Sequence, residues 1–184
     1  MNVVVLASGS GTLAQAIFDA GFSISALICD KPGAEVLERA KKAGIRTILY
    51  PMKEDRSQWD HELIEILDEL KPDLIVSAGF MRILSPETVG KFKIINSHPA
   101  LLPLFPGAHA VRDALEAGVT ETGTTIHWVD AGVDTGEVIA QERVAIQPGD
   151  TEESLHERIK IVERGLIVAT ISEVLSNSKV VDNG

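Results

Sequence analysis

Short all-apolar runs alternate with amphipathic stretches along most of this chain. Val3 to Ala7 is five apolar residues in a row, the mark of a strand covered on both faces. It ends in SGSG, and TLAQAIFDA then reads as a helix. SISALIC (23–29) is a second strand, Glu35 to Ala43 a helix stopped by Gly44, and RTILY a third strand. The next helix is capped by Ser57 and carries Leu63, Ile66, Leu67 and Leu70 at i, i+3, i+4 and i+7. Pro72 ends it, and Leu74 to Ala78 is a fourth strand. Ser85-Pro86-Glu87 opens a helix with proline at its first position, and Lys93 to Ser97 is a fifth strand. Past a proline-rich loop, Ala110 to Ala117 is a short helix, and Thr124 to Val129 and Val138 to Ile146 are strands. Thr151 caps a final helix that reaches about Ser176, with a frayed tail over 177–184.

That alternation predicts an α/β fold: an open, mostly parallel, Rossmann-like sheet with helices on both faces, in a single domain over 1–184. In such sheets ligands bind beyond the carboxyl ends of the strands. Three of those ends carry distinctive residues, at 8–12, 79–84 and 96–98.

Composition adds mainly exclusions. The 184 residues, 45% hydrophobic and 24% charged, suffice for a globular core. A net charge of −10 argues against nucleic acid, whose phosphates need a basic stripe, and against an anionic membrane surface. No apolar run approaches the ~18 residues of a membrane span. The start MNVVVLASG lacks the basic segment and the apolar length of a secretory signal. The single cysteine, Cys29, permits no internal disulfide and reads as a small buried hydrophobe. A cytoplasmic protein is expected.

Candidate chemistry gathers in four places. In ASGSGT after the first strand, small residues let backbone N–H groups approach an anion at a helix N-terminus. There is no lysine for a Walker loop, and Ala14 stands where a dinucleotide fingerprint has its third glycine, so a small phosphate monoester suits it better. Asn96 and His98 lie two apart at the end of a strand and project to one face, with Pro99 preventing the ladder from continuing. An amide can donate to a developing oxyanion without titrating, and an imidazole can move protons near neutral pH. In VDAGVDTG, Asp130 and Asp134 are both candidates to hold His98 charged or to fix its tautomer. In GFMRILSP, Phe80, Met81, Ile83 and Leu84 beside Arg82 suit a flat heteroaromatic ligand with an anionic tail. The five histidines show no HxxxH or HExxH spacing, so no metal is expected. His61 and His156 read as solvated, and His127 as a core histidine or a supporting group.

The stretches VVLASGSGT, AGFMRILSP, INSHPALLPLFPGAHA, GTTIHWVDAGVDTGEVI and KIVE follow one another over nearly the whole chain. In them the sequence resembles the phosphoribosylglycinamide formyltransferase family, folate-dependent enzymes of purine synthesis in the formyl-tetrahydrofolate transferase superfamily. The resemblance implies transfer of the formyl group of 10-formyltetrahydrofolate to the amine of glycinamide ribonucleotide, with no metal. It implies Asn96, His98 and Asp134 as the catalytic trio, with Asp134 keeping His98 charged. The ribonucleotide maps onto Gly11, Thr12, Leu13, Met81, Lys160 and Glu163. The folate maps onto Arg56, Met81, Arg82, Ile83, Leu84, Val89, Asn96, Asp130 and Asp134. A phosphate-binding half is then expected near 1–93 and a folate and catalytic half near 94–176, in a monomer or homodimer.

Some positions depart from the pattern. Leu13 and Ala14 stand where Asn and Leu are usual. Arg164 follows Glu163 where His is usual, and Ile167-Val168 replaces an aromatic-Pro pair. Other functions built on the same trio are the transferase that formylates initiator methionyl-tRNA and formyltetrahydrofolate hydrolase. The former usually carries a basic C-terminal domain and the latter an N-terminal regulatory one. A non-catalytic folate- or nucleotide-binding module is the alternative outside enzymes.

Overall fold

The computed structural model describes residues 1–181. Its elements run β1 (Val3–Ala7), α1 (Thr12–Asp19), β2 (Ile24–Cys29), α2 (Glu35–Lys42), β3 (Thr47–Leu49), α3 (Arg56–Leu70), β4 (Leu74–Ser77), α4 (Pro86–Lys91), β5 (Ile94–His98), α5 (Ala110–Glu116), β6 (Glu121–Trp128), β7 (Val138–Ala145) and α6 (Glu152–Val181). The strands form one sheet in the order β3-β2-β1-β4-β5-β6-β7. β1 is parallel to β2 and β4, and β2 to β3, whereas β6 and β7 are antiparallel. This is the mostly parallel α/β sheet that the alternation predicts. The chain divides into two compact units, Met1–Ile95 and the residues from Asn96 onward.

In the first unit, every residue of β1 and β4 is buried, including the polar Ser77 at the end of β4, as strands covered on both faces require. α1 turns Leu13, Ala14, Ile17 and Phe18 inward. α3 buries Trp59, Leu63, Ile64, Leu67 and Leu70. Its stripe therefore starts a turn earlier than the leucine spacing alone predicts, and Ile66 is only half-buried. The cap of α3 is Asp55, not Ser57: the Asp55 carboxylate accepts from the Gln58 N–H at 3.0 Å, and the helix begins at Arg56. Ser85 caps α4 as expected, accepting from the Thr88 N–H at 3.2 Å. Tyr50 stacks on the fully buried Trp59 with ring centroids 5.6 Å apart.

In the second unit, β6 begins at Glu121, three residues before the expected start, because pairing with β7 extends from Glu121 opposite Ala145 to His127 opposite Val138. Val111 of α5, Val144 of β7, and Leu155 and Ile159 of α6 form a core, with Leu115, Ile146 and Val162 packed against it. Two devices set the start of α6. Thr151 Oγ1 accepts from the Ser154 N–H at 3.1 Å while Ser154 Oγ accepts from the Thr151 N–H at 2.9 Å. The Arg158 guanidinium grips both Asp150 oxygens at 2.8 Å and the Ala145 carbonyl at 3.0 Å. α6 runs to Val181, past the predicted end at Ser176, so residues 177–181 of the expected tail are helical; 182–184 lie outside the described residues. Among the described residues no helix is long and apolar enough to cross a membrane.

Candidate active site

In the first unit, the turn from β1 into α1 is pinned by α2. Gly9 O accepts from the Val36 N–H at 3.2 Å, and Ser10 O from Arg39 Nε at 2.7 Å. Gly11 has φ 73°, and a Cβ there would come within 2.4 Å of the Val36 side chain, so only glycine fits. Thr12 opens α1, and the Leu13 side chain is in the core, which leaves this residue only its backbone N–H to offer a ligand. Ser8 Oγ accepts from the Met81 N–H at 2.8 Å and ties the 79–84 segment to the end of β1. Met81 and Ile83 expose large apolar side chains, Leu84 is buried and Val89 is half-buried. The cations proposed for the folate are already engaged. Arg82 Nε pairs with Asp30 at 2.5 Å, and the Asp30 side chain is wholly buried. Arg56 donates to the Ile83 carbonyl and to Asp60, and lies 5.1 Å above the Trp59 ring.

In the second unit, β5 delivers Asn96 and His98 to one face and Ser97 to the other. Ser97 Oγ donates to Glu163 Oε1 of α6 at 2.5 Å. Burial pushes the Glu163 carboxyl above the ordinary glutamate range, outweighing the Ser97 hydroxyl and the nearby Lys160 and Arg164 charges. Lys160, one turn earlier, pairs with Glu157 at 2.6 Å.

Of the two aspartates open as partners of His98, Asp134 meets it. Asp134 Oδ2 lies 3.3 Å from His98 Nδ1 and accepts from the Gly107 N–H at 2.8 Å. Asp130 instead closes its own loop, accepting from the Gly132 N–H at 3.0 Å and Thr135 Oγ1 at 2.7 Å. The other His98 nitrogen, Nε2, is 2.8 Å from the Phe105 carbonyl O. Both contacts depend on left-handed backbone at non-glycine residues, φ 54° at Phe105 and at Asp134. The 130–136 loop is held close at its base. A Cβ on Gly136 would lie 1.7 Å from the Trp128 carbonyl O.

Three neighbours of the trio are absent from the sequence-level site: the Phe105 carbonyl, the Gly107 N–H and His127. His127 Nε2 lies 3.2 Å from Asn96 Nδ2 and 3.5 Å from Asp134 Oδ1, and its Nδ1 is 2.8 Å from the Trp128 carbonyl O. The only signal for it in the sequence is its place on an apolar strand directly before the DAGVDTG loop. Burial raises the Asp134 carboxyl, but the contacts with His127, the Gly107 N–H and His98 outweigh it, and the net direction is below the ordinary aspartate range. Among the described residues no group of three or more His, Cys, Asp or Glu side chains is arranged to hold a metal ion.

A family model described as formyl transferase matches residues 1–171. The chain belongs to the formyl transferase family. This formyl transferase is 43% identical over 185 residues to the phosphoribosylglycinamide formyltransferase of Mycobacterium tuberculosis (strain CDC 1551 / Oshkosh), an alignment covering 96% of this chain and 86% of that protein. It is 41% identical over 182 residues to the enzyme of the same name from Escherichia coli (strain K12), covering 94% and 86%. Among solved structures, it superposes on phosphoribosylglycinamide formyltransferase from Bacillus halodurans with a TM-score of 0.91 at 41% identity, covering 97% of each chain.

Proposed function

We propose that this formyl transferase moves the formyl group of 10-formyltetrahydrofolate to the amine of glycinamide ribonucleotide, giving formylglycinamide ribonucleotide and tetrahydrofolate. One observation carries the reading. An amide, an imidazole and a carboxylate from β5 and the 130–136 loop meet in the second unit, with His98 and Asp134 3.3 Å apart. The two relatives named for this activity, each above 40% identity over nearly the whole chain, support the choice of substrates.

Asn96, His98 and Asp134 are the residues that act on the reacting atoms. The amine nitrogen bonds to the formyl carbon while the carbonyl π pair moves onto oxygen. Asn96 donates an amide hydrogen to that oxyanion. His98 adds positive charge beside it, and Asp134 is the counter-charge that keeps the imidazole protonated and oriented. Collapse breaks the bond to the folate nitrogen, which takes the proton lost by the amine. No covalent enzyme intermediate is required. Much of the acceleration comes from holding two substrates in contact, where effective molarities reach about 10⁵ M.

For the ribonucleotide, the Gly11–Leu13 amides at the start of α1 suit a phosphate. The Met81 backbone, Lys160 and Glu163 are the other residues that the family resemblance assigns to this substrate. For the folate, the exposed Met81 and Ile83 offer apolar surface to a flat ring, beside Leu84 and Val89. The resemblance also assigns to the folate Arg56 and Arg82, which are engaged by Asp60 and Asp30, and Asn96, Asp130 and Asp134 of the second unit. The protein acts on small molecules, as a monomer or homodimer in the cytoplasm, without nucleic acid, membrane or metal.

The test follows tetrahydrofolate-type product by absorbance with and without glycinamide ribonucleotide. Product is expected only when the amine is present. Equal turnover without it would make the protein a hydrolase, and none in either case a binding module. His98→Ala and Asp134→Asn should each cut kcat by at least about 10²-fold while folate binding persists, with circular dichroism confirming that both fold.

A further inference from the structure

One buried titratable side chain touches the trio and has no role in the reaction as written: His127, 2% exposed on β6. Its two nitrogens face different partners. Nδ1 lies 2.8 Å from the Trp128 carbonyl O, which can only accept, so Nδ1 carries a hydrogen. Nε2 faces both Asn96 Nδ2, at 3.2 Å, and Asp134 Oδ1, at 3.5 Å. A neutral ring has a lone pair on Nε2 and accepts from the Asn96 amide. A cationic ring donates from Nε2 to Asp134, and Asn96 must then turn its oxygen toward it.

His98 decides between them. Both of its nitrogens face acceptors, the Phe105 carbonyl O at 2.8 Å and Asp134 Oδ2 at 3.3 Å. Asp134 carries a single charge, and His98, whose Nδ1 is the imidazole nitrogen nearest that carboxylate, is the ring that can serve both acceptors as an imidazolium. His98 is 4% exposed and His127 2%. A second cation there would be buried with no further carboxylate among the described residues to balance it, which is strongly unfavourable. From β7, the residue opposite His127 is the uncharged Val138.

We infer that His127 is a positioning residue for Asn96: a neutral imidazole, protonated on Nδ1, whose Nε2 accepts one Asn96 amide hydrogen and so aims the other at the oxyanion of the transferring formyl group. That second hydrogen has no acceptor among the described residues. An amide turned the other way would set its oxygen against the oxyanion and repel it. The role rests on the formyl-transfer reading, since it is the oxyanion that gives the amide's orientation its value.

Two measurements test it. The first is ¹⁵N NMR of the imidazoles of the wild-type protein near neutral pH. His127 should show a pyridine-type, unprotonated Nε2 and a protonated Nδ1, and a protonated Nε2 overturns the assignment. This experiment needs no turnover, so it stands apart from any failure of the wild-type protein to transfer formyl. The second is steady-state kinetics of His127→Phe, which keeps a ring but removes both nitrogens, and of His127→Gln, which restores an acceptor near Nε2. His127→Phe should lose about 10- to 100-fold in kcat with little change in either KM, and His127→Gln should recover most of that. In an Asn96→Ala background neither substitution should cost more, because the group they orient is gone. Losses that multiply in the double variant, or a well-folded His127→Gln as slow as His127→Phe, overturn the role. Should His127→Phe fail to fold, His127→Gln and its double variant with Asn96→Ala are read the same way.

Discussion

Glu163 shows at a single residue how burial sets chemistry. Its carboxyl is held above the ordinary range, so the folded chain binds that proton better than the unfolded chain does. Its contribution to stability is fully present below the unfolded value of about 4.3 and is lost as pH rises through the folded value. Glu163→Gln is uncharged at every pH and should escape this loss. Thermal melts of the two proteins from acid to neutral pH should diverge in favour of the variant as pH rises, and parallel curves would rule out the shifted carboxyl. At this scale the sequence was most legible where a residue's spacing carries geometry: Asn96 and His98 share a face because strand residues two apart must. It was silent where a role depends on a partner brought in by the fold. Residue chemistry alone left Asp134 and Asp130 equal as partners of His98, and it took the family resemblance to single out Asp134; His127 was legible only as a core or supporting histidine, and nothing marks the Phe105 carbonyl.

Among the elements, α6 depends on its first turn. Thr151 and Ser154 cap each other's N–H groups, and neither is among the residues proposed to meet a substrate. Thr151→Ala should cost about 1 kcal/mol and lower the melting midpoint by about 2–4 °C, leaving kcat unchanged. A loss of activity without a loss of stability would mean that the helix start does something other than hold the helix. Element types were readable because the apolar runs and the 3.6-residue stripes are strong, and the boundaries were less so. Ser57 looked like the cap of α3 because serine is a common cap, yet Asp55 two residues earlier reaches the Gln58 N–H first. The early start of β6 follows from its long pairing with β7, which is invisible until the partner strand is known.

Across the whole molecule, the alternation of strand and helix gave the fold class, but the strand order and the antiparallel β6–β7 pair come only from the structure. A chain of net charge −10 also has a distinctive acid response. Asp134 and Asp150 are both held below the ordinary aspartate range, Asp150 chiefly by Arg158. Their contributions are present above the unfolded aspartate value and are lost as pH falls through the lowered folded values. Urea midpoints should therefore drop as the solution is acidified below about pH 4. Arg158→Leu, which removes the chief cause at Asp150, should flatten part of that drop, and an unchanged acid slope would show that the pair contributes nothing there.

The left-handed backbone at Phe105 and Asp134 has a consequence for anyone who breeds this protein for heat tolerance. Non-glycine residues in that conformation cost about 1–2 kcal/mol each. A selection blind to turnover would find glycine an easy gain at position 105, whereas at position 134 the same change would also forfeit the His98 pair and the Gly107 N–H contact that offset the strain, so the carboxylate there is shielded from such a drift.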